Sequence, residues 1–203
     1  MFLPFSTMDN QLQQAFELFD AYNKQDPNTF TWEGKTYPQE YFLALKLYDW
    51  VLRLRPDADD ALLLAARSQH IGRWKIAREH FPDGREGYLK WRRELASFHA
   101  DRATEILEKV GYNAATIQQV SDIILKKKIK VNQDVQVMEN ALCLVFLAYQ
   151  YEDFYPKYPD KIVNILKKSL LKMDAEGHRF ALGLTYSPAG LQYIQEALTL
   201  IGH

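Results

Sequence analysis

Between Ala65 and Arg92 the chain gathers Arg67, Gln69, His70, Arg73, Trp74, Lys75, Arg78, Tyr88, Trp91 and Arg92. Arginine forks match the oxygen geometry of phosphate and carboxylate and stay charged at physiological pH. Indole and phenol rings offer stacking faces, and an imidazole exchanges its proton near neutrality. The chemistry these residue types can do is anion binding, with Gln69 and His70 to orient what is bound. The segment before the cluster, ALLLAA, is apolar on every side and predicts a helix buried in a core. A polar cluster leaving such a helix is costly unless it is paired or binds something. Gly72 is the expected stop of that helix, because glycine tolerates a left-handed end.

Further polar side chains fall on faces that should be buried. His99 lies in line with Leu95 and Ile106, where its plain role is a hydrogen bond to a backbone carbonyl. Glu139 shares a face with Val135, Leu142 and Phe146, and a carboxylate there needs a cationic partner. Lys126 to Lys128 end a helix, where cations complement the negative dipole end. Trp74, Tyr88 and Trp91 are equally suited to a core. No Walker loop, G-x-S-x-G, H-E-x-x-H or Cys/His zinc spacing is present.

The elements that must position these residues are helices. Asp9 or Asn10 can cap a first one carrying Leu12, Phe16 and Phe19. Asp26-Pro-Asn28 ends it, and FTWEGKTYP forms a short hairpin or an ordered loop. Helices follow over about 38–54, from Asp57 or Asp59 into the arginine cluster, over about 85–110 to Gly111, and from Asn113 to Lys126. A sixth, about 133–154, is expected to be the most buried. A seventh covers 161–173, and Ser187-Pro188 starts the last. The fold expected is all-α, a single domain over residues 1–203 with seven or eight helices.

The 203 residues, 47% hydrophobic, suit one sizeable core. A net charge of −1 gives no global attraction to nucleic acid or an acidic membrane. The single cysteine, Cys143, sits in an apolar run and excludes a disulfide framework. The N-terminal MFLPFSTMDNQ lacks the basic region of a signal peptide, and the longest apolar run is too short to span a bilayer. A soluble, cytoplasmic protein is expected, with nothing that sets an oligomeric state.

Four phrases carry a family resemblance: F-D-A-Y-N-K-Q-D-P-N (19–28), A-A-R-S-Q-H-I-G-R-W-K-I (65–76), G-Y-L-K-W-R (87–92) and Q-V-M-E-N-A-L-C-L-V-F-L (136–147). They resemble an uncharacterised bacterial and fungal domain-of-unknown-function family numbered 4202, and K-M-D-A-E-G (172–177) extends the match. The chain departs from that pattern at Ala77, where proline is usual, and at Asn140, where aspartate is. More distantly, the helix order is similar to that of the HD-domain phosphohydrolases, all-α enzymes that hold metals on His, His-Asp and Asp. Their His-Asp pair would fall at Gln69-His70, their first histidine near Glu40, a later one near Lys126 or Lys127, and their ligand aspartate at Leu142. His99 matches an additional histidine of some members. A leucine donates nothing and a lysine ammonium repels a divalent cation, so the resemblance implies an HD-like bundle that has lost the usual metal set.

Three readings follow. The first is a metal-free pocket for a phosphorylated or other anionic small molecule. His70 and Glu139 are its candidate catalytic groups, and Glu40, Arg67, Gln69, Arg73, Trp74, Arg78, Tyr88, Trp91, Arg92, His99 and Lys126 are its candidate ligand-binding residues. It expects no cofactor, nucleic acid or membrane. The second is a phosphohydrolase-like hydrolase using a divalent metal on a site rebuilt from His70, His99, Glu40 and Glu139. The third is an interaction module whose arginines pair with Glu40, Glu86, Glu94 and Glu139.

Overall fold

The computed structural model describes residues 7–129 and 131–202. It is all-α apart from one small hairpin, as expected. The helices are α1 (Thr7–Asn23), α2 (Gln39–Leu54), α3 (Asp60–Ser68), α4 (Gly84–Val110), α5 (Ala114–Ile124), α6 (Gln133–Val145), α7 (Tyr151–Phe154), α8 (Pro159–Leu170), α9 (Ala175–Leu182) and α10 (Pro188–Thr199). Ten α-helices among the described residues, instead of seven or eight, have two causes. A π-helical turn, Phe146–Gln150, divides the rod expected over 133–154 into α6 and α7. The short α9 was not expected at all; Asp174 caps it, its side chain accepting from Gly177 N at 3.0 Å.

The expected cap at Asp9 or Asn10 falls inside α1, which starts at Thr7; the Asp9 side chain lies outside the described residues. So do residues 1–6, over which a signal peptide was discounted. FTWEGKTYP is a hairpin: β1 (Thr29–Trp32) pairs antiparallel with β2 (Lys35–Pro38). Its two-residue turn, Glu33-Gly34, has positive φ at both positions, the geometry that follows the twist of paired strands. Phe30 stacks on Phe42 of α2 at 4.8 Å between ring centroids and seats the hairpin on the bundle. Among the described residues, no helix is long and apolar enough to cross a membrane.

The core is built round α3, whose Leu62, Leu64, Ala65 and Ala66 are fully buried. Helices α1, α2 and α5 pack on it. Asp59 caps its start, accepting from Leu62 N at 2.9 Å. The chain then leaves the core under control of the phrase 19–28. Asp20 binds Arg67 of α3, and Asn23 accepts from Gly72 N at 3.2 Å. Asp26 accepts from Glu40 N at 2.9 Å and closes the first turn of α2. The end of α1 and the loop after it thus tie together α3, the turn that follows it, and the start of α2.

Helix α3 stops at Ser68, short of Gly72. Gly72 nevertheless has φ +68 and reverses the chain before Arg73. A Cβ there would lie 2.8 Å from ring atoms of both Phe98 and Tyr22, whereas Gly34, at φ +75, has open space. Gly72→Ala is therefore expected to cost about 2–4 kcal/mol, from left-handed strain plus overpacking. Gly34→Ala should cost only about 1 kcal/mol. Urea denaturation of both variants compares the two losses.

Candidate functional site

Six segments of the chain meet at a cleft of about 340 Å³. Helix α2 brings Gln39, Glu40 and Leu43. The turn after α3 brings His70 and Arg73, and α4 brings Arg92. Lys126 enters from the end of α5. Helix α6 with its π-turn supplies Glu139, Leu142, Cys143, Phe146 and Gln150, and the end of α8 supplies Ser169 and Lys172. A chamber of about 70 Å³ adjoins it, sharing His70, Arg73, Arg92 and Lys126 and adding Gln69 and His99. The His70 and His99 rings stand 5.7 Å apart between centroids. Eight residues singled out in the sequence therefore converge here: Glu40, Gln69, His70, Arg73, Arg92, His99, Lys126 and Glu139. What delivers Lys126 is a backbone conformation that its residue type does not announce.

Lys126 follows α5 with φ +56. Lys126 N donates to Ile123 O and Lys127 N to Asp122 O, the pair of bonds that closes a helix through a left-handed residue. Glycine normally occupies that place; a lysine there costs about 1–2 kcal/mol. The conformation turns its ammonium off the helix axis and onto the buried carboxylate of Glu139. Lys127 instead pairs with Asp122 at 2.9 Å on the surface, the helix-end role expected of all three lysines. Backbone strain spent on one cation is typical of sites where that cation has work to do.

The two carboxylates are both buried, with 3% of Glu40 and 2% of Glu139 exposed. Glu40 meets Arg73 at 3.8 Å, but its Oε2 is buried without a partner. Burial raises its pKa to about 7 against the opposing pull of Arg73. Burial and the surrounding cations, Arg73 first, hold His70 well below the usual histidine range, so its imidazole is neutral. His99 is likewise depressed, to about 4, by burial. Its Nδ1–H donates to Ile71 O at 2.7 Å, and Nε2 is left buried and unpartnered. Cys143, on the cleft wall, is a thiol pushed up to about 11 by burial, so it stays protonated.

Four cations, Arg73, Arg92, Lys126 and Lys172, thus face two carboxylates. The cleft carries +2 with both ionised and +3 with Glu40 protonated. Among the described residues, neither Arg92 nor Lys172 forms an ion pair with a carboxylate. No three His, Cys, Asp or Glu side chains among them are grouped to hold a metal ion. The residues suggested for a rebuilt metal site line the cleft and chamber but are not grouped as metal ligands, and the Lys126 ammonium lies on the Glu139 carboxylate.

Four residues proposed for the pocket lie elsewhere. Arg67 is buried in an ion pair with Asp20, 2.6 Å to Oδ1, and its guanidinium lies over the Phe16 and Tyr48 rings. Trp74 packs on Tyr22. Arg78 ties down its own loop, donating to Phe81 O at 2.9 Å and Pro82 O at 3.0 Å. Tyr88 is 46% exposed beside Trp91. Trp91 is a partial exception: its Nε1 donates to Ile76 O at 2.9 Å, and its ring lies 5.4 Å from the Arg73 guanidinium, backing that residue from outside the cleft. Nor do Glu86 and Glu94 pair with the cleft arginines; Glu94 pairs with Lys90. Sequence reasoning missed Lys172, Gln150 and Gln39. Only the K-M-D-A-E-G phrase pointed toward Lys172. Asn140 in the same region is structural, donating to Asp174 Oδ1 at 2.8 Å to hold α9 on α6.

Glu40 gives a pH signature. Its folded pKa, about 7, is above its ordinary 4.5, so the folded chain holds the extra proton. Its favourable contribution is complete below pH 4.5 and disappears as pH rises through 7. His99 has the opposite sign: its depressed pKa makes stability fall as pH drops from 6.5 toward 4. The two slopes oppose each other in the wild type, so Glu40→Gln should separate them. From pH 5 to pH 8 the variant is expected to gain about 2–3 kcal/mol relative to wild type. Urea denaturation at the two pH values measures it; parallel behaviour of the two proteins would show Glu40 ionising normally.

Comparison with known proteins adds a family. A family model described as Domain of unknown function (DUF4202) matches residues 13–194, from within α1 to within α10. No curated protein and no solved structure matches the chain. The family match spans every element that contributes to the cleft, and the chain belongs to the DUF4202 family.

Proposed function

We propose that the cleft binds a phosphorylated or otherwise anionic small molecule directly on cationic side chains, without a metal ion. The observation that carries this reading is the charge imbalance: four cations and two carboxylates, with Arg92 and Lys172 left unpaired. Gathered cations repel, and an anion relieves that repulsion. Arg92 supplies the fork and Lys172 the point charge at the rim. Arg73 and Lys126, already committed to Glu40 and Glu139, shape the field around them. His70 is neutral and orients the bound molecule, while Glu139 holds Lys126 in place.

The HD-like reading belongs here too. The positions where the resemblance puts HD ligands are Glu40, Gln69, His70, Lys126 and Leu142, and all line the cleft or its adjoining chamber. That convergence favours an HD-like pocket whose divalent metal has been replaced by fixed cations.

Thermal melts with increasing phosphate, at constant ionic strength, test the reading. The expected result is a saturable rise in Tm following RT ln(1 + [L]/Kd), about 2.7 kcal/mol at a hundredfold excess over Kd. Arg92→Ala should lose most of that rise and be no less stable without phosphate, because it leaves no carboxylate unpaired. Arg67→Ala should behave oppositely. It leaves Asp20 partly buried without its partner and costs about 3–5 kcal/mol, yet keeps the phosphate response. No saturable rise in wild type would remove the anion reading.

A further inference from the structure

The chamber beside the cleft has a chemistry of its own. Gln69 and His99 are 3% and 2% exposed; Gln69 gives one amide N–H, and His99 its one ring N–H, to a backbone carbonyl. Gln69 Nε2 donates to Ile124 O at 3.1 Å, and His99 Nδ1 to Ile71 O at 2.7 Å. These carbonyls fix the amide orientation and the imidazole tautomer, since only a donor can face them. What remains are two buried acceptors without partners, Gln69 Oε1 and His99 Nε2. Both residues line the same space of about 70 Å³. Two buried acceptors at one small void call for a donor. An ammonium is disfavoured, because Arg73, Arg92 and Lys126 line the same chamber. A neutral hydroxyl fits, being small, a donor, and unopposed by those charges.

We infer that this chamber receives a hydroxyl group of the bound anion, making the ligand class a small hydroxylated phosphate ester. The inference rests on the anion reading of the adjoining cleft. A cleft charge of +2 to +3 matches a phosphate dianion better than a single carboxylate. Gln69 and His99 are the specificity-determining residues, because they reward a hydroxyl and leave their acceptors unpaired against an alkyl group.

The test compares glycerol 3-phosphate with propyl phosphate, matched in chain length and charge, alongside inorganic phosphate. Titration calorimetry on the full chain should find glycerol 3-phosphate tighter than propyl phosphate by about tenfold, the increment of one well-made buried hydrogen bond. Gln69→Met removes one acceptor while keeping side-chain length, and His99→Phe fills the chamber. The affinity ratio should fall in Gln69→Met and drop to near one in His99→Phe. Melting curves establish that each variant is folded, and a fold lost in one leaves the other to decide. Equal affinities in wild type, with inorganic phosphate still bound, would mean that water fills the chamber, overturning this inference and sparing the anion reading. No binding of any of the three would end both.

Discussion

Two buried carboxylates must hold a cleft walled by four cations, and the site depends on that shortage. Glu139 is consumed by Lys126, and Glu40 meets Arg73 only at 3.8 Å and is itself half-protonated near neutrality. An ion pair in a low-dielectric setting is stable only when geometry and further hydrogen bonds offset desolvation. Here that balance is met for Lys126 and incompletely for Arg73. Arg92 and Lys172 line the same cleft and, among the described residues, have no carboxylate partner. Burial first, and the neighbouring cations after it, keep His70 and His99 neutral, so the cleft holds fixed positive charge beside uncharged imidazoles.

The surrounding fold exists to hold this arrangement. The last turn of α1 and the loop after it set three anchor points with Asp20, Asn23 and Asp26, and these fix Arg67, Gly72 and Glu40 relative to one another. The left-handed Lys126 and the π-turn at Phe146–Gln150 are departures from regular helix, and both face the cleft. In the π-turn, Tyr151 N donates to Phe146 O, five residues back. The extra residue in that turn rotates Phe146 and Gln150 into the lining. Such turns recur at functional sites because they re-aim side chains at modest cost.

Much of this was legible in the sequence, and the misses share one cause. The apolar run before His70 marked the buried helix, and polar residues on apolar faces marked Glu139 and His99. Arg67, Trp74 and Arg78 were assigned to the pocket by closeness in sequence to His70. Their partners decided otherwise: Asp20 is 47 residues from Arg67, and no periodicity exposes a pairing at that distance. Lys126 looked like an ordinary helix-end cation because its backbone conformation, unusual for lysine, leaves no trace in residue type. Lys172 lies 80 residues beyond Arg92 in a different helix end, so only tertiary packing brings the two to one opening.

The central claim is that Arg92 and Lys172 are cations awaiting an anion. A crystal structure of the protein grown with phosphate tests it most directly. The account predicts one phosphate bound between the Arg92 guanidinium and the Lys172 ammonium, with Lys126 still on Glu139. A cleft without anion, with Arg92 and Lys172 turned to carboxylates of their own, would contradict it.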